Sequence, residues 1–560
     1  MRDREVLRVH VWSEKNGIEV RRNPVQAANH SSPNPLSRDD AMSISAPAQY
    51  PNVFSSSALS PTPAANALQN PISIEVPLLQ NSNATFTPKS KLTPDQHYVE
   101  KYPTYTNSAP LYKDDLIKIT HKTTWETVND NERTNRSNVI KIETGEKPDV
   151  IKVNQSSNNE VQLQVNDRHY TLKINNHESY PEELHIKSKG GDDHIRVDPR
   201  VTIPITIEGG KGRDRIEALG SGDTRVYGGA GNDNITLGSG NGYAEGNDGN
   251  DTMKGGSGIA VMYGNNGNDT MSSGTGSEGT FSYMDGGNGN DTMVSESPMN
   301  VMHGGPGDDL MTGKAQTVFY TGRGRDRVNS YNANDTIYAK KYDLVTSIPG
   351  TRYKKVNISN AGHKAFKIEG SSKFKQQTQD DLEFFRNSPT AQKMLSELDR
   401  AAERNGSPVT IRETTVRPNY TFTNNFTREH DKQLKEYDEL AESPQLGFIH
   451  GNTKGSVATG AKIHNNPGLI FREPPVISLY HEMAHAYNGA NGTFLPGKTA
   501  DEPNPERQAV GVETNAPAFD FDNDPSTPPT TTNPNPFNEN ALREETGTAR
   551  RDAYFPPDEG

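Results

Sequence analysis

Apolar and polar residues alternate through the stretch from about residue 120 to 200: Ile151 and Val153, then Val161, Leu163 and Val165, then Leu172 and Ile174. A period of two belongs to strands with one buried face, so this stretch predicts strands that start a β-structure. Further on the apolar runs shorten and recur as Thr224-Arg225-Val226-Tyr227, Ala260-Val261-Met262-Tyr263, Asn300-Val301-Met302-His303 and Thr317-Val318-Phe319-Tyr320, each leading into a glycine turn. Short strands separated by regular turns predict a solenoid. Beyond it Lys364-Ala365-Phe366-Lys367-Ile368 reads as a strand, and Asp380–Phe385 with Ala391–Leu398 reads as amphipathic helix broken near Ser388-Pro389. Met394, Leu395 and Leu398 are its core positions. Residues 476–487 are apolar around a short charged motif and follow Pro475, which predicts a buried helix starting there.

Residues 1 to about 110 carry no sustained period and are rich in Ser, Asn, Pro and Ala. With 31% hydrophobic residues and a mean hydropathy of −0.86, part of the 560-residue chain is expected to be unfolded. The expected organisation is a disordered leader over 1–115, a right-handed parallel β-roll over 116–345, a linker over 346–362, and an α+β domain over 363–560.

The turns of the solenoid bring chemistry. Gly209–Ile216, Gly228–Ile235 and Gly286–Met293 fit GGxGxDxU, with aspartates Asp214, Asp233 and Asp291. Weaker copies centre on Asp193, Asp251, Asp269, Asp309 and Asp326. The pattern resembles the RTX nonapeptide, and the resemblance implies calcium held by these aspartates, stacked along one edge with a plainer edge opposite. A calcium-free β-helix would use the same turns for geometry alone. A column of carboxylates without a cation repels itself, which favours calcium.

His481-Glu482-Met483-Ala484-His485 sits on the buried helix. Histidines four residues apart on a helix face the same way and can bind one zinc, while Glu482 reaches the water that the metal activates. A third ligand is needed. Glu506 is the candidate, on a second helix opened by Asn504-Pro505 about twenty residues beyond His485, with Asp501, Glu502 and Glu513 as rivals. The spacing resembles thermolysin-like zincins. HExxHxxGxxH is excluded, because Asn488 and Asn491 stand at its glycine and histidine positions.

Near the C-terminus Arg551 and Tyr554 fall at helical spacing, and an arginine with a phenol can stabilise the oxyanion of peptide hydrolysis. Together with HExxH, the Glu506-Arg507-Gln508-Ala509-Val510-Gly511 segment and the Asn540 to Tyr554 segment, the pair resembles NleD-type effector metallopeptidases; the pair alone is similar to clostridial neurotoxin light chains. The resemblance covers about residues 363 to 560 and implies a zinc endopeptidase acting on host proteins. It departs from the family between Glu513 and Phe537, where a Pro, Asn, Asp and Thr-rich insert, expected to be a loop, leaves substrate choice open.

A net charge of −13 argues against nucleic acid or anionic membrane as a partner, and no apolar run is long enough for a membrane span. The start lacks the apolar core of a cleaved secretory signal, so delivery by specialised bacterial secretion machinery is expected. The leader suits type III export into a host cell, and the calcium repeats suit type I export. The cysteine count of zero fits a chain indifferent to redox compartment. The other class of function is a calcium-dependent binding protein in which the HExxH region is catalytically silent.

Overall fold

The computed structural model describes residues 71–76, 104–129, 132–174, 181–414, 418–430, 442–468 and 473–554. Of the leader expected over 1–115, residues 1–70 and 77–103 lie outside the described residues. The described part departs from that expectation by contributing strands. Ile72–Glu75 pairs in parallel with Arg168–Lys173, and Thr104–Lys113 pairs antiparallel with Lys118–Asn129. The alternation Ile72, Ile74, Val76 explains the first of these, since Ile74 and Val76 are buried in the core of the roll.

Two 13-stranded sheets share one apolar core. Each has an antiparallel meander near its start, in one sheet edged by the parallel strand Ile72–Glu75, and continues as parallel pairing, one strand per coil. Hairpins can close on themselves, whereas a parallel coil needs a neighbour on both sides, so a meander is a natural start for the stack. In one sheet Ile216, Ile235, Met253, Met271, Met293, Met311 and Val328 are stacked in register. In the other Val226, Ala244, Met262, Met284, Met302, Phe319 and Ile337 are stacked. Each of these coils thus buries at least one apolar residue from each sheet against the coils above and below. The linker expected over 346–362 is shorter than that, because Arg352–Lys355 still pairs with Thr336–Ala339 and completes the last coil.

The outer face of the second sheet carries an aromatic column, Tyr227, Tyr243, Tyr263, Tyr283, Tyr320 and Tyr338. It is covered by the α+β region rather than by water, and Tyr243, Tyr263, Tyr283 and Tyr320 are fully buried. That region has a four-stranded sheet in the order Phe366–Glu369, Val409–Glu413, Gly460–Asn465, Asn419–Thr423. Its helices are α1 (Ser372–Asn387), α2 (Pro389–Asn405), α3 (Asn425–His430), α4 (Pro475–Asn491), α5 (Asn504–Val510) and α6 (Glu539–Thr546). The expected break between α1 and α2 falls at Ser388, whose hydroxyl accepts the Ala391 N–H at 3.0 Å as an N-cap ahead of Pro389. Phe384 of α1 sits against Tyr283 and Tyr320 of the roll, with ring centroids 6.1 and 4.6 Å away. None of the helices among the described residues is long and apolar enough to cross a membrane.

Candidate active site

Helix α4 begins at Pro475, as expected, and ends where Gly492 takes a left-handed φ of 65°. It is buried on nearly every face, so its two histidines and one glutamate face protein and not bulk water. His481 Nε2 and His485 Nε2 lie 3.1 Å apart. Glu506, fully buried in the first turn of α5, places Oε2 3.2 Å from His481 Nε2 and Oε1 3.1 Å from His485 Nε2. One ligand atom from each of the three residues lies within 4.8 Å of the others. Two imidazole nitrogens and a carboxylate converging on a buried point form an N,N,O donor set of the kind a catalytic zinc takes.

The rivals for the third position lie elsewhere. Glu502 pairs with Arg507, Asp501 is exposed at a positive φ of 64°, and the Glu513 carbonyl accepts from Arg507 at 2.9 Å.

Glu482 is 5% exposed, and its Oε2 has no hydrogen-bond partner among the described residues. Burial drives its carboxyl up to about 7; the two histidines oppose that rise, and Glu506 and Glu539 add to it. A carboxylate of this kind is suited to taking a proton near neutral pH.

Sequence reasoning missed Glu539. Its Oε2 accepts from His481 Nδ1 at 2.7 Å, which fixes the ring so that Nε2 faces Glu506 and His485. Glu539 is itself held by Arg543 Nε at 2.5 Å, and Arg543 also pairs with Glu473. Burial alone would lower the His481 pKa, but the two flanking carboxylates raise it to about 10. The available signal was Glu539 and Arg543 at i, i+4 on α6, a pairing easily read as a surface ion pair.

Arg551 and Tyr554 do reach the site, but not on a helix. α6 stops at Thr546 with Gly547 at φ 73°, and the following chain folds back. Asn540 holds it there, accepting the Arg551 N–H at 2.8 Å and donating to the Arg551 carbonyl at 2.9 Å. The Tyr554 ring centroid lies 5.9 Å from that of His481. Burial and the Glu506 and Glu482 carboxylates push its phenol well above its ordinary value, so it stays a proton donor. The Arg551 guanidinium is spent on the support: Nη1 lies 3.3 Å from both Glu539 oxygens, Nη2 donates to the Tyr554 carbonyl, and its carbon is 5.4 Å from the Tyr554 ring centroid. These contacts tie Glu539 to the Tyr554 backbone.

The insert after Glu513 is irregular, as its composition predicts, yet it is anchored. Phe519 and Phe521 form a small core with Ile449, Leu495 and Ala516. Asn533 joins Asn488, one turn after His485, through bonds of 2.7 and 2.9 Å, and accepts from Gln508 of α5 at 2.9 Å. The asparagine at the metzincin glycine position therefore ties the two ligand-bearing helices together.

In the roll, all eight predicted aspartates stand in one buried column. Asp193, Asp214, Asp233, Asp251, Asp269, Asp291, Asp309 and Asp326 each use Oδ1 to accept the backbone N–H of the corresponding residue one coil earlier, at 2.7 to 3.0 Å. Among the described residues, the Oδ2 atoms of Asp193, Asp214, Asp233, Asp251, Asp269, Asp291 and Asp309 have no hydrogen-bond partner. Burial is the main cause that raises these carboxyls, to about 8 for Asp233 and Asp269 and about 9 for Asp309. A Cβ on Gly228 would stand 2.4 Å from Asp233 Oδ2, which explains the glycine. The weaker copies keep the turn because Asn247 and Asn265 adopt φ of 75° and 69° in place of the second glycine. Buried carboxylate oxygens without donors fit a cation of the calcium type.

Residues 362–554 match the Peptidase_M91 family, described as an effector protein. Residues 219–241, 245–277, 285–317 and 318–340 match four copies of the RTX calcium-binding nonapeptide repeat. No curated protein and no solved structure matches the chain. The chain thus joins a region similar to an effector peptidase family to a run of calcium-binding type repeats, built as a β-solenoid followed by an α+β region.

Proposed function

We propose that this protein is a secreted, NleD-like zinc endopeptidase that cleaves host proteins, with its calcium roll joined to the catalytic region. The observation that carries the reading is the convergence of His481, His485 and Glu506 on one buried point, with ligand atoms within 4.8 Å. His481 and His485 with Glu506 would hold the metal, which when bound supplies a Lewis acid for the scissile carbonyl and for water.

The chain's own groups supply the rest. Glu482 takes a proton from the attacking water and passes it to the leaving amine. Tyr554 donates its phenol hydrogen toward the developing oxyanion. Glu539 orients His481, and Arg551 braces Glu539 and the Tyr554 backbone. Asp193 to Asp309 would take calcium along the roll, and the peptidase domain follows the roll over 363–560. The substrate is a host protein reached through bacterial secretion machinery, a reading that the similarity of residues 362–554 to an effector peptidase family supports.

Metal analysis tests the reading. About one zinc per wild-type chain, lost in His485→Ala together with peptide-bond cleavage, is the expected result. No zinc in the wild type would reject the enzyme in favour of a calcium-dependent binding protein.

A further inference from the structure

The Oδ2 column has one exception. Asp326 Oδ2 is met by the ammonium of Lys340, with Nζ at 2.6 Å. The same ammonium donates to the Gly322 carbonyl, lies 3.2 Å from Asp343 Oδ1 and 3.4 Å from Thr321 Oγ1. Asp343 in turn continues the ladder by accepting the Asp326 N–H at 3.2 Å, and its Oδ2 accepts from the Thr321 hydroxyl at 2.7 Å and from the Lys340 N–H at 2.7 Å. The side chains of Asp326 and Asp343 are fully buried, and that of Lys340 is 18% exposed.

Gly322 holds the place in its turn that Gly210 and Gly229 hold in theirs, and Asp326 the place of Asp214 and Asp233. The ammonium therefore has around it a carboxylate oxygen facing away from the ladder, a glycine carbonyl and a second carboxylate. These are hard oxygen donors of the kind calcium takes. A lysine nitrogen is a compact point charge, and here it brings its positive charge on the chain itself.

We propose that Lys340 is a tethered cation that fills the last site of the calcium ladder, so that the ladder takes calcium as far as Asp309 and ends in an ammonium at Asp326. The proposal rests on the reading of the repeats as calcium loops. It departs from the sequence expectation that Asp326 is a calcium ligand, and from the calcium-binding repeat match over 318–340 at that one residue. It also gives the last loop a special role. Tyr320, immediately before Thr321, donates to Glu545 of the α6 segment at 3.1 Å, and Arg323, immediately after Gly322, donates to Glu383 of α1 at 2.5 Å. The loop that Lys340 holds is docked on the catalytic region through these two contacts, and it stays held when calcium is absent.

Calcium per chain measured by equilibrium dialysis, with amide hydrogen exchange in chelated buffer, tests this on the full-length protein. Lys340→Met is expected to bind one calcium more than the wild type, and without calcium to lose protection over residues 321–326 that calcium restores. Asp326→Asn is expected to leave the count unchanged, whereas Asp269→Asn lowers it. An unchanged count in Lys340→Met, or a loss in Asp326→Asn equal to that in Asp269→Asn, would overturn the proposal. A wild type that binds no calcium at all would overturn the calcium reading itself, a result distinct from a bound ladder with the wrong end.

Discussion

Phe385 of α1 and Tyr480 of α4 pack with ring centroids 5.7 Å apart, and Tyr480 is the residue immediately before His481. On its other side Phe385 meets Phe384 at 5.9 Å, and Phe384 lies against Tyr283, His303 and Tyr320 of the roll. A continuous aromatic path thus runs from the solenoid to the helix that carries His481 and His485. Phe385→Ala is expected to cost about 3–5 kcal/mol of stability, measured by denaturant unfolding, because the fully buried ring leaves a cavity. A loss under about 1 kcal/mol would mean that the path is not part of what holds the molecule together.

The same interface carries buried acids with an unusual pH dependence. Burial, then Asp285 and Glu245 from the roll, push the Asp381 carboxyl well above its ordinary value, while a hydrogen bond from Tyr263 opposes them; Asp380 is raised beside it. The folded state then binds more protons than the unfolded chain once pH exceeds about 4, so stability falls as pH rises from there. Asp381→Asn is expected to raise the melting temperature at pH 8 and to change it little at pH 4. An equal effect at both values would contradict the assignment.

Much of this was legible in the sequence, and the reasons differ by element. The HExxH spacing and Pro475 were enough to place His481 and His485 on one face of a buried helix, because helix geometry is local. The Asp column was legible because a solenoid repeats one local solution. Glu539 was not, since a residue on α6 meets His481 only through tertiary folding. Arg551 was read on a helix that Gly547 ends, and its partners lie on α6 and at Tyr554. Lys340 was hidden for the same reason: its nitrogen meets Asp326, fourteen residues earlier, through the return of the coil.

Glu539 carries a prediction of its own. Glu539→Gln removes the charge behind His481 Nδ1 and is expected to weaken zinc binding about 10- to 100-fold, read by competition with a chromogenic chelator. Unchanged affinity in a folded variant would assign Glu539 to structure alone.

Tyr554→Phe keeps the ring against His481 and removes the donor. Turnover is expected to fall about 100-fold or more with substrate affinity little changed, as for loss of an oxyanion donor. A fall confined to KM would instead place the phenol in substrate binding.

The central claim is peptide-bond hydrolysis with Glu482 as the proton carrier. Labelling of new protein N-termini in host-cell lysate treated with the wild type or Glu482→Gln, with zinc and calcium present, tests it most directly. New termini generated by the wild type and absent with a zinc-loaded Glu482→Gln variant are the predicted result. Identical termini with both proteins, or none with a zinc-loaded wild type, would contradict it.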